Sequence, residues 1–100
     1  MILYVKYDEN EKLADIVDIP NFSLDTIKQK QNEFFKWLFN KDNDHKYWRE
    51  IDGVKSICAY DVSAFIEWLN SYVCLNSKDK AVLLKKDAIC ENENMNVLLF

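Results

Sequence analysis

The stretch SLDTIKQKQNEFFKWL, Ser23 to Leu38, decides how the chain reads. Ser23 is a helix-capping type, since its hydroxyl can accept from a backbone N–H of the first turn. Asp25 then sets negative charge at the positive end of the helix dipole. Leu24, Ile27, Phe34, Phe35 and Leu38 fall on one side of a helical wheel. The spacing predicts a helix from Ser23 to about Asn40 with one apolar face. Trp37 lies roughly 60° to one side of Phe34, on the flank of that face.

Upstream, Ile2 to Tyr7 is short, β-branched and aromatic, which reads as a strand. Asp8 to Lys12 is a polar turn. Leu13 to Ile19 alternates in part and reads as a second strand, hairpin-paired with the first and ended by Pro20. Downstream, Lys41 to Lys46 is a polar break. Asp52-Gly53 then sits between Tyr47–Ile51 and Val54–Tyr60. Asp-Gly supplies the two positive-φ positions of a type I′ turn, so a β-hairpin is expected around the only glycine.

Asp61 caps a second helix from Val62 to about Cys74, with Val62, Phe65, Ile66, Leu69 and Val73 inward. Phe65, Ile66, Glu67, Trp68 and Leu69 echo Phe34, Phe35, Lys36, Trp37 and Leu38. The flanking residues do not match, so two helices packing one core explain the echo better than a duplication. Ser77 can cap a short helix from Lys78 to about Lys86, the reading adopted here, although Ala81–Leu84 also suits a strand. Asn96 to Phe100 reads as a final strand. The expectation is an α+β fold: an antiparallel sheet of four to five strands with two or three helices packed on one face, in a single globular domain over residues 1–100.

With 49% hydrophobic residues and 14% aromatics, the 100-residue chain has the material for a core and not the composition of a disordered one. The formal net charge of −4 argues against a nucleic-acid partner and against an anionic membrane surface. Residues 1–27 hold Asp8, Glu9, Glu11, Asp15, Asp18 and Asp25 against Lys6 and Lys12. Residues 87–100 hold only the acids Asp87, Glu91 and Glu93. If the two ends meet in space, they make an electronegative face. Three cysteines (Cys58, Cys74, Cys90) without an export signal point to a reducing cytoplasm and free thiols. No apolar run approaches the length that spans a bilayer. Abundant Asn, Lys and Ile with scarce Gly is the residue bias of an AT-rich bacterial or phage genome.

Catalytic equipment is thin. His45 is the sole residue whose ordinary pKa suits a general base near neutral pH, and its polar neighbours read as an exposed loop. Asp42, Asn43 and Asp44 begin like a calcium loop. Counted from Asp42, however, position 6 is Tyr47 rather than Gly and position 12 is Gly53 rather than Glu. No Cys or His pairs have zinc spacing, and phosphate-cradling loops need more glycine than this chain has. No enzymatic activity, cofactor or metal is expected.

What remains is recognition. A small, acidic, aromatic-bearing domain suits a basic protein partner. The leading reading is a cytoplasmic immunity or inhibitor protein that neutralises a bacterial toxin, a nuclease above all, by covering it. Asp8, Glu9, Glu11, Asp15 and Asp18 would supply charge, and Tyr47 and Trp48 aromatic anchors. The alternatives are a phage-encoded inhibitor of a host nuclease defence and a non-inhibitory oligomerisation module. A homo-oligomer is compatible with all three.

Overall fold

The structure, a computed structural model, describes residues 1–20, 22–57, 60–74, 80–89 and 96–100. Its elements in chain order are β1 (Ile2–Lys6), β2 (Leu13–Asp18), α1 (Leu24–Leu38), β3 (Trp48–Ile51), β4 (Val54–Ile57), α2 (Val62–Tyr72), β5 (Val82–Ile89) and β6 (Val97–Leu99). The α+β character is as expected from the sequence.

Both helices begin where the capping residues place them. The Ser23 hydroxyl accepts from the Thr26 N–H at 3.3 Å, and the Asp61 carboxylate accepts from the Ser63 N–H at 2.9 Å. Along α1, Ile27, Gln31, Phe34 and Leu38 are buried; along α2, Val62, Ala64, Phe65, Trp68 and Leu69 are. Phe34 sits at the centre, its ring 5.4 Å from Phe65, 5.8 Å from Trp68 and 6.4 Å from Phe100. The helices cover one face of the main sheet, where Leu3, Val5, Val17, Ile19 and Leu98 complete the core.

The main sheet has four strands in the order β5-β2-β1-β6. The expected hairpin between β1 and β2 is present, with Ile2 opposite Asp18 and Val5 opposite Asp15. Two expectations need correction. First, the sheet is mixed rather than antiparallel, because β6 runs parallel to β1 with Tyr4 opposite Val97. Since β2 already pairs one side of β1, the closing strand takes the other. The Gln31 side chain holds it there, its Nε2 donating to the Leu99 carbonyl at 2.6 Å. Second, the Asp-Gly hairpin stands apart as its own two-stranded sheet, β3-β4. Its turn has the conformation expected, φ 52° at Asp52 and 80° at Gly53.

The expected helix over Lys78–Lys86 is a strand where it can be seen, from Val82; Lys78 and Asp79 lie outside the described residues. Two tertiary forces override local propensity. The outer edge of β2 presents unpaired backbone groups, and β5 satisfies them. Ahead of β5, Asn70 clamps Ala81 by accepting from its N–H at 2.8 Å and donating to its carbonyl at 2.9 Å. Among the cysteines, Cys74 is buried, and Cys58 and Cys90 lie outside the described residues. Among the described residues no helix is long and apolar enough to cross a membrane.

Candidate functional site: an aromatic cleft between the helices and the hairpin loop

The loop after α1 folds back on the helix through its own polar side chains. Asn43 donates from Nδ2 to the Trp37 carbonyl at 2.9 Å, and Trp48 donates from Nε1 to the Asn43 carbonyl at 2.7 Å. His45 is not the exposed loop residue its neighbours suggest. Its ring lies 4.6 Å from Trp37 and stacks on Trp48 at 5.1 Å and 9°. The Tyr47 N–H donates to Nδ1 at 3.2 Å, and Nε2 lies 2.8 Å from the Leu38 carbonyl. That pattern is the Nε2–H tautomer, with both ring nitrogens held by backbone.

This packing leaves a cleft of about 250 Å³ lined by Trp37, His45, Tyr47, Glu67, Trp68 and Tyr72 among others. That is room for one side chain rather than for a larger ligand. Trp68 forms the floor at 7% exposure, and Tyr72 the outer wall at 60%. Glu67 sits at the rim, accepting from the Lys46 ammonium at 2.8 Å and from the Tyr47 hydroxyl at 3.1 Å. The Lys46 hydrogen bond holds the Glu67 carboxyl below the usual carboxylate range, with the Tyr47 hydroxyl assisting. Burial, then the bond and charge of Glu67, push the Tyr47 hydroxyl up to about 12. Tyr47 is therefore a neutral donor under physiological conditions.

A second hollow of about 500 Å³ shares this rim and extends it to Tyr60, Asp61 and Ser63. Burial works to raise the pKa of Asp61. The opposing hydrogen bonds from Lys86 and Ser63 and the Lys86 charge outweigh it and hold the carboxyl low. Tyr47, Glu67 and Asp61 thus form one aromatic lip with two carboxylates, each met by a lysine, Lys46 and Lys86. Its chemistry suits an ammonium or guanidinium group laid on ring faces with a carboxylate behind it. Lys46 shows the match from within the chain, its Nζ on Glu67 and 5.5 Å from the centroid of the Tyr47 ring. Both partners of that ion pair are exposed, so it contributes no more than about 1 kcal/mol and gives way readily to a better-placed cation.

The residues singled out from sequence fall in several places. Tyr47 lines the cleft. Trp48 braces His45 behind it, with the Lys55 ammonium 5.6 Å from its ring centroid. Asp8, Glu9 and Glu11 are exposed in the turn between β1 and β2, where Asp8 accepts from the Asn10 N–H at 2.9 Å. Asp18 stands at the opposite end of β1, 3.4 Å from the N-terminal ammonium. Asp15 departs from the expectation of a surface charge. It is 5% exposed, accepting from the Tyr7 hydroxyl at 2.9 Å and the Asp87 N–H at 3.0 Å.

Two members of the lip escaped the sequence reading as binding residues. Asp61 looked like a cap, which it is. Glu67 carried one signal, as the position at which the repeated aromatic signature exchanges Lys36 for an acid. A larger hollow of about 720 Å³ lies between α1 and β6, but it sets Glu9 against Lys6 and Lys28, a positive excess that does not suit a basic partner. Among the described residues no group of three or more His, Cys, Asp or Glu is placed to hold a metal ion. Comparison with family models, with curated proteins and with solved structures returns no match.

Proposed function

We propose that the chain is a binding protein of the immunity type, one that neutralises a basic toxin domain by covering it, and that the aromatic cleft is its contact site. The observation that carries this reading is the cation already seated at the rim: Lys46 on Glu67, beside the Tyr47 ring. A partner's arginine or lysine takes that place, entering between Tyr47 and Tyr72 while Asp61 faces a neighbouring positive group. Aromatic anchors ringed by charge are the usual seat of interface energy. Asp8, Glu9 and Glu11, exposed in the turn, act at longer range by steering the encounter. Asp18 has the same long-range part from the far end of the sheet. Asp15 keeps a structural one.

The test is functional. Purified chain is added to the basic nuclease domain that it captures from the source cells, and residual nuclease activity is followed. Stoichiometric inhibition is expected, with Tyr47→Ala and Glu67→Lys each raising the inhibitory concentration at least tenfold. A captured partner whose activity is untouched by saturating chain contradicts the inhibitory reading.

A further inference from the structure

We infer that the face of the main sheet turned away from the helices is the interface of a homodimer. The shortest dimension of the molecule is 21 Å, enough for two layers at about 10 Å each. The sheet and the helices fill both, and among the described residues no third layer covers the sheet from behind. That side should be polar, as it is in antiparallel sheets with one face in water. It is not.

By alternation and register the uncovered face carries Ile2 and Tyr4 from β1, Leu13 and Ile16 from β2, Val82, Leu84 and Ile89 from β5, and Val97 and Leu99 from β6. Six of these, Ile2, Leu13, Val82, Leu84, Ile89 and Leu99, are 43–66% exposed. At roughly 100 Å² per aliphatic side chain, the face offers on the order of 400 Å² of apolar surface. A standard interface takes about 800 Å² from each partner, and in homodimers about 65% of it is apolar, so the supply is close to what a stable dimer needs.

Charge selects the occupant. The whole chain is at −4, so two copies repel over most of their surface. By the same alternation this face carries Lys6 and Lys85 against Asp18 and Asp87, and Asp18 is 3.4 Å from the N-terminal ammonium. It is a large apolar surface without net negative charge, where a second copy can approach. A basic partner finds nothing to recognise there. The sheet edges point the same way. β6 is only three residues long. β5 is broken by register shifts, carries Lys85 and Lys86, and has Asp87 at φ 54°. These features blunt edge-to-edge pairing. The second copy therefore packs sheet face on sheet face, as in a sandwich.

The experiment is sedimentation equilibrium of the full chain from low to high micromolar concentration. A species of twice 11.9 kDa is expected. Val82→Thr with Leu84→Thr keeps strand propensity while removing apolar area, and should weaken dimerisation at least tenfold with an unchanged circular dichroism spectrum. Ile51→Thr, on the separate hairpin, should leave the dimer intact. A monomer throughout the concentration range overturns the inference. So does a dimer indifferent to the double threonine variant, or a monomer that loses binding to a different protein when the two threonines are introduced.

Discussion

Tyr7 shows how one side chain joins four segments. Its hydroxyl accepts from the Val62 N–H at 3.0 Å and donates to Asp15 at 2.9 Å, while Asp15 accepts from Asp87. The first turn of α2 is thereby tied to β1, β2 and β5. Burial raises the pKa of this hydroxyl far above the ordinary tyrosine value, and the Asp15 bond and charge add to it, against the Val62 bond. The neutral form belongs to the fold. Its contribution is complete below about pH 10, the unfolded value, and is lost as pH rises through the folded one. Tyr7→Phe leaves the Val62 N–H and an Asp15 oxygen without this partner, and should cost about 1–3 kcal/mol in urea unfolding near neutrality. The gap between wild type and variant should hold to about pH 10 and narrow above it. None of this was legible in the sequence. Period-two alternation set Asp15 on the face of Val17 and Ile19, opposite Val5, but could not show that the Tyr7 hydroxyl and the Asp87 N–H meet it there.

At the scale of elements, features set by neighbouring residues were readable and those set by distant ones were not. The Asp52-Gly53 turn is local, and it formed as read. A methyl group at Gly53 would meet nothing within 4 Å, so Gly53→Ala should cost only its backbone strain at positive φ. That is about 1–2 kcal/mol, measurable in thermal or urea unfolding, with Asn tolerated better than Ala. The caps are local too. Asp61→Ala should cost about 1 kcal/mol, and Asp61→Asn, which keeps the capping oxygen, only a few tenths. Because the folded Asp61 carboxyl is held low, its advantage over Asn is present above the unfolded value, about 3.9, and is lost as pH falls through the folded one. β5 is the counterexample. Val82-Leu83-Leu84 carries no decisive period, and what makes it a strand is the open edge of β2 together with the grip of Asn70 on Ala81.

For the whole molecule, the two aromatic helices foretold a single core, and Phe34 lies at its centre within 6.5 Å of the rings of Phe35, Trp37, Tyr60, Phe65, Trp68 and Phe100. Phe34→Ala should cost about 3–5 kcal/mol, a large share of what a domain this size has. Strand direction stayed hidden, because alternation reports burial and is silent on whether β6 runs with β1 or against it. The candidate site was half legible for the same reason. Tyr47 was visible as a recognition type, but the acids beside it, Glu67 and Asp61, come from α2 and meet it only in the fold. The acidic turn near the start of the chain drew attention by its density instead. These two sets of charge have different physical parts, the cleft acids holding a bound cation and the turn acids drawing it in, and they separate kinetically. The decisive measurement is therefore the association and dissociation rates of the captured basic partner at several salt concentrations. We expect Asp61→Lys with Glu67→Lys to speed dissociation at least tenfold. Asp8→Lys, Glu9→Lys and Glu11→Lys together should slow association and leave dissociation within about twofold. Dissociation unmoved by the cleft pair, or binding insensitive to salt in the wild-type chain, would contradict a cation-seating contact face.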